Sequence, residues 1–394
     1  MTAPSGTMSR AACFACGLVL SLALAAPPLG AQTAEAGDPA VRLELARRYH
    51  EGRGVVQNFT RAAEIFAPLA EAGNAEAQNA LGRYHHEGLG VPKDRAAALD
   101  WLGLAARSGV PQYLFDHAVV LEQDGTPEEL AQAAALYARA AEAGLEEAAI
   151  SLGLLYQEGR GVAQDYARAR ALYEGPAAAG SARAQNNLGL LYVRGSGVPQ
   201  DYARAAELFN AAAAQGMRRA MYNLGVLYEN GFGVATDEAK AHELYRMAGN
   251  GETGAGPGFV YDARLAPPPA DEAGLARLQQ AARAGDPVAA FQLGWLLVQG
   301  DPVTPQALAS ARQLFSLSAA RGYPPAMANL AQLYVLGRGV PQDYVEALVW
   351  LLLAGTAAFP EATAMSAALQ AQMTPGQIAE AQQLAEARWQ AGRP

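Results

Sequence analysis

Apolar residues in this chain recur at helical spacing over short stretches, and the stretches come in pairs. Residues 181–216 show the pattern most clearly. Ala184, Leu188, Leu191 and Tyr192 fall at i, i+4, i+7 and i+8, one face of a helix. Gly195 and Gly197 follow, a place for the positive φ angles of a sharp stop. Pro199 cannot continue the first helix, and Asp201 is placed to cap a second one. Tyr202, Ala205, Phe209 and Ala212 form the second apolar stripe, and Gly216 closes it. The spacing predicts an α-hairpin with too little core to fold alone.

Aligned on itself at a period of 36, the chain yields seven copies of this hairpin, opening near residues 37, 73, 145, 181, 217, 286 and 323. The paired turn glycines recur as Gly52/Gly54, Gly88/Gly90, Gly159/Gly161, Gly195/Gly197, Gly231/Gly233 and Gly337/Gly339. Leu45, Leu81, Leu152, Leu188, Leu224, Leu293 and Leu330 fall in register, and the residue after each is only ever Gly or Ala. Glycine inside a helix costs about 1 kcal/mol against alanine. Its recurrence at one slot therefore predicts that the two helices of each hairpin approach too closely for a larger side chain.

The pattern A-x-x-x-L-G-x-L-Y-x-x-G-x-G-V-x-Q-D-Y-x-x-A-x-x-L-F, read from Ala184 to Phe209, resembles the Sel1-like repeat of the tetratricopeptide-type α-solenoids. The resemblance implies an all-α fold: a right-handed superhelix of stacked helix-turn-helix repeats, with the first helices lining its concave side. It also implies an adaptor or scaffold for protein partners. Related exported proteins are linked with signalling control and with cell-envelope or polysaccharide assembly.

Two regions depart from the pattern. Residues 110–144 keep the second helix but lose the paired glycines; Thr126-Pro127-Glu128-Glu129 supplies a capping box there instead. Residues 249–270 are rich in Gly and Pro and contain no copy, so they read as an eroded repeat whose first helix became a linker or loop. The expected organisation is one repeat block over 37–248, with 110–144 as a degenerate copy, and a second over 271–391. A capping helix over 375–391 opens on a second box, Thr374-Pro375-Gly376-Gln377, and covers the apolar end that a stacked array must protect.

Residues 1–31 read as a signal peptide: Arg10 as positive flank, an apolar core over 11–26, Pro27-Pro28, and a boundary at Ala31. Met1 or Met8 could serve as the start, and an uncleaved anchor is the competing reading of the same core. A membrane helix needs about 20 apolar residues, more than this core offers. Cleavage would place the protein in the periplasm of a Gram-negative bacterium, or outside the cell, with no stable membrane span. It would also remove Cys13 and Cys16, the two cysteines of the chain, leaving no disulfide or thiolate chemistry. The net charge of −9, with Lys93 and Lys240 the sole lysines, supplies no basic stripe for nucleic acid.

Catalytic, cofactor and metal sites do not emerge from the motifs. Gly249-Asn250-Gly251-Glu252-Thr253-Gly254 matches a dinucleotide fingerprint in letters, but a helix precedes it where a strand is required. The five histidines form no H-E-x-x-H, and neither G-x-S-x-G nor S-x-x-K is present. Some cysteine-rich secreted relatives of the family are linked with β-lactams. An envelope-directed hydrolase of that kind is the alternative reading, and it lacks the repeat cysteines here. The expectation is a non-enzyme that binds a protein or peptide, with no cofactor. Its candidate contacts are Asn187, Asn223 and Asn329, each just before a register leucine. An asparagine offers two donors and two acceptors, enough to hold a peptide backbone without reading its sequence. Hydrogen bonding between neighbouring repeats is the other role open to the same three residues.

Overall fold

The computed structural model describes residues 38–249, 258–300 and 303–392. The signal-peptide reading of residues 1–31 and most of the fingerprint match at 249–254 lie outside them. The chain divides into two units, Met1–Arg42 and Leu43–Pro394, and the helical array from Leu43 onward belongs to the second. Among the described residues the secondary structure is helical, with no strand.

The helices come as antiparallel pairs. The first three pairs are α1 (Pro39–Glu51) with α2 (Phe59–Glu71), α3 (Ala75–Glu87) with α4 (Arg95–Ala106), and α5 (Pro111–Glu122) with α6 (Pro127–Glu142). Three more follow: α7 (Glu146–Glu158) with α8 (Tyr166–Ala178), α9 (Ala182–Arg194) with α10 (Tyr202–Ala214), and α11 (Arg218–Asn230) with α12 (Glu238–Gly249). After the Gly/Pro-rich break comes α13 (Glu272–Arg283) alone. The pairs α14 (Pro287–Val298) with α15 (Pro305–Ala319) and α16 (Pro324–Leu336) with α17 (Tyr344–Gly355) complete the repeats. Two further helices, α18 (Pro360–Gln370) and α19 (Pro375–Gln390), end the array.

Local chemistry explains the punctuation. Second helices start on Asp165, Asp201 and Asp343, whose carboxylates accept from the backbone N–H three residues on. First helices stop on left-handed glycines such as Gly195, φ 65°. In the degenerate pair the left-handed residue is Asp124, φ 55°, and both bonds of the Thr126/Glu129 capping box are made. The slot after the register leucine behaves as its sequence predicts. A Cβ on Gly189 would lie 2.6 Å from the Phe209 ring, inside van der Waals contact. The equivalent rings opposite Gly153, Gly225 and Gly294 are Tyr173, Tyr245 and Phe315.

The C-terminal region adds two findings. Helix α18 lies where the hydrophobic pattern predicts no element; Pro360 at its start and buried Ala362, Met365 and Leu369 account for it. The capping helix α19 packs on α17, where Arg388 forks onto Glu346 at 2.9 and 2.8 Å over the Trp350 ring. On its other side α19, with the end of α18, meets the first repeat. Gln382 accepts from the Phe59 backbone N–H at 3.1 Å, the Asn58 amide donates to Glu386 at 2.6 Å, and Gln370 donates to Gln57 at 2.8 Å. Buried apolar residues from Ala46 to Tyr84 and from Phe291 to Ala385 accordingly form one continuous cluster.

Candidate peptide-binding face

The residue before each register leucine is a slot at which one repeat's first helix meets the repeat before it. Glu44, Ala80, Ser151, Asn187, Asn223, Gln292 and Asn329 fill the slot in turn. Its neighbours there are the residue one position earlier on the preceding first helix and the ring on the preceding second helix. The three candidate asparagines occupy equivalent places with different partners.

Asn187 lies close to the buried Tyr173 hydroxyl of the preceding pair, which donates to Gln157 at 3.3 Å, and accepts from Asn186 at 3.4 Å. Asn223 donates to Asn186 Oδ1 at 2.9 Å, again across the repeat boundary. The preceding repeat offers Asn329 no such group, since the equivalent positions are Phe291 and Phe315, both fully buried. Asn329 is itself fully buried. An amide left unpaired there would cost about 1–3 kcal/mol. It bonds instead to the main chain of the break: the Val260 N–H donates to Oδ1 at 2.7 Å, and Nδ2 donates to the Val260 carbonyl at 2.9 Å.

Residues 258–261 are neither helix nor strand. They lie across α14 and α16, with the side chain of residue 259 packed on a ring of α15 and that of residue 261 on rings of α14. Phe259 stacks near Phe315 at 6.4 Å between ring centres, and Tyr261 meets Trp295 edge-on at 4.8 Å and Phe291 at 5.7 Å. The Tyr261 hydroxyl accepts from Gln292 Nε2 at 2.8 Å and donates to the Ala266 carbonyl at 2.6 Å. Asp262 is 3% exposed. Its carboxylate takes a forked pair of bonds from Arg264 at 2.8 and 2.9 Å and a 2.6 Å bond from the Tyr323 hydroxyl. The Arg264 bonds, joined by that of Tyr323, hold the Asp262 carboxyl down at about 2 against the opposing effect of burial. Burial first, and then the Asp262 charge, push the Tyr323 hydroxyl well above its usual range.

The equivalent face of the first repeats is charged. Arg47 forks onto Glu76, and Arg53 reaches Glu44 at 3.1 Å. A cleft of about 210 Å³ opens beside them, lined by Arg47, His50, Glu76, Arg83, Tyr84 and Glu87. His50 Nδ1 is 2.7 Å from the Tyr84 hydroxyl, and burial lowers its basicity. Among the described residues no group of three or more His, Cys, Asp or Glu side chains is placed to hold a metal ion. No described helix is long and apolar enough to cross a membrane.

Sequence reasoning passed over Gln292, Tyr323 and the segment bearing Val260, Tyr261 and Asp262. One signal was available: Phe259-Val260-Tyr261 is an apolar, β-prone run inside a Gly/Pro-rich break, where a solvated linker needs none.

A stack of helical pairs with a long side-by-side face, and with a strap of main chain lying on part of it, defines the helical-repeat class of interaction proteins. The particular family follows from its own pattern. The Sel1 repeat model matches residues 40–74, 75–110, 114–145, 146–174, 182–217, 218–251, 287–323 and 324–358, and the chain belongs to the Sel1 repeat family. The degenerate copy is thus one of eight matched repeats. Sel1-repeat proteins act generally as protein-interaction scaffolds, without catalysis of their own. Among solved structures, a protective antigen present in uropathogenic Escherichia coli strains, described as displaying an SLR fold, is 24% identical with a TM-score of 0.51. The match covers 92% of this chain and 97% of that one. A Sel1 repeat protein from Oxalobacter formigenes is 31% identical over 54% of this chain and 85% of that one, with a TM-score of 0.49. The curated proteins contain no match.

Proposed function

We propose that this protein is an exported scaffold that holds an extended segment of a protein partner along the face formed by its first helices. One observation supports the reading above others. On that face Asn329 satisfies both the N–H and the C=O of a single residue of non-helical chain, the way a backbone is held without regard to its side chains. Other first helices carry polar residues near the equivalent slot, among them the exposed Arg183 and Arg219 and the half-buried Asn187 and Asn223. Export rests on the N-terminal reading, and an envelope role in signalling or assembly rests on the family resemblance.

Site-specific photo-crosslinking tests the binding face. A crosslinker placed at Arg183 or Arg219 should capture a discrete partner in living cells, and one placed at Glu207, exposed on a second helix, should not. Equal capture at all three positions, or at none, rules the face out. Cell fractionation tests export separately: a full-length product confined to the cytoplasm would refute it.

A further inference from the structure

We infer that the groove over α14 and α16 is a binding site for an extended partner segment of aromatic–aliphatic–aromatic–acidic character, and that residues 259–262 are its resident occupant, displaced when the partner binds. The inference rests on the scaffold reading and names both a place and a partner chemistry within it.

The groove recognises its occupant as a peptide site does. Asn329 fixes the backbone register at Val260. Phe315 on one side and Phe291 with Trp295 on the other receive the rings of residues 259 and 261. Tyr323 donates to a carboxylate one residue further on. Alternate rings on one face, with the backbone pinned between them, match an extended strand.

Part of what holds the occupant comes from the occupant itself. Asp262 takes its forked bonds from Arg264, which belongs to the same segment, so only Tyr323 ties that carboxylate to the groove. Phe259, Val260 and Tyr261 are each only part-buried. The groove also has a donor that the occupant leaves unused. The Trp295 indole N–H is buried and has no hydrogen-bond partner among the described residues. An incoming segment that places an acceptor there satisfies a group the internal strap does not.

Internal occupancy has a measurable signature, because a partially blocked site shows an affinity reduced by the fraction that is open. The probe is a fluorescent peptide with the sequence of residues 258–266, GFVYDARLA, titrated against the full-length mature chain. A chain carrying Tyr261→Ala and Asp262→Ala, with its own strap loosened, should bind the peptide at least about tenfold more tightly than the unaltered chain, the scale of losing one anchoring ring. Adding Asn329→Ala should abolish that gain, and a scrambled peptide should not bind. Asp262→Ala alone keeps the aromatic packing and guards against a double variant that fails to fold; it should show a smaller gain in the same direction, with faster hydrogen exchange at Val260. If the folded variants bind GFVYDARLA no better than the scrambled peptide, the strap is a fixed part of the core and the inference is overturned. Crosslinking at Arg183 and Arg219 succeeds or fails independently of this result, so loss of the groove site and loss of the scaffold reading are separable.

Discussion

Asn223 and Asn329 occupy the same slot in two repeats and do different work. Asn223 meets Asn186 across a repeat boundary, and the bond is part of the stacking. For Asn329 the equivalent positions of the preceding repeat are Phe291 and Phe315, and it bonds instead to main chain from 69 residues earlier. The difference lies in the preceding repeat and not in the asparagine. A polar neighbour keeps the amide within the stack, and two apolar neighbours free it to hold a peptide backbone. The slot is therefore a switchable position: its function is set by the rings and side chains of the repeat before it.

Substitutions can break or sharpen this contrast. The largest effect is expected from Asn329→Ala, which strands the Val260 N–H and C=O beside an apolar wall. It should cost about 2–3 kcal/mol, seen as a lower unfolding midpoint and loss of exchange protection at Val260. Acid should act next, through Asp262. Its carboxyl lies at about 2 with the strap in place, against an ordinary 3.8. A depressed pKa stabilises the strapped state above the ordinary value and loses that contribution as pH falls through the lower one. The strap should therefore hold above about pH 4 and loosen toward pH 2. Trp295 fluorescence reports the change, and Asp262→Asn should flatten the profile.

Asn223→Ala is expected to cost less, about 1 kcal/mol, because it removes one partly buried bond, and it should leave exchange at Val260 unchanged. Smallest of all is Tyr173→Phe. It removes the hydroxyl that lies beside Asn187 and donates to Gln157 at 3.3 Å, and should lower stability by under about 1 kcal/mol. By removing the polar group beside the amide it makes the Asn187 slot resemble that of Asn329, and binding of an extended peptide near α9 is the gain to measure. If Tyr173→Phe leaves peptide binding unchanged while Asn329→Ala abolishes it at the groove, the slot is not switchable and α14–α16 are special for another reason.

The repeat architecture was legible in the sequence because stacking imposes its period on the residues. Gly189 is glycine since Phe209 leaves no room for a Cβ, and the same pairing repeats along the chain. Both capping boxes were legible for a similar reason, being wholly local. What escaped was non-repetitive. Helix α18 follows the last repeat and has no copy against which to be recognised. The bond from Asn329 to Val260 joins a repeat to a break, so no self-alignment brings the two together. The identity of Asn329 suggested a stacking contact ahead of a backbone contact; Phe315 and Phe291, at the equivalent positions of the preceding repeat, carry the distinction.

The contact between α19 and the first repeat has a consequence for how the chain comes apart. A linear stack frays from its ends, because each terminal unit has only one neighbour. Here the terminal units brace each other through Gln382, Glu386 and Gln370, across sequence separations of 323, 328 and 313 residues. Closing such a long-range contact carries the entropic cost of a long loop. Once made, it leaves neither terminus free to start unzipping. The weak point then moves inward, to the break before α13, where residues 258–262 lie as a strap on the helices that follow.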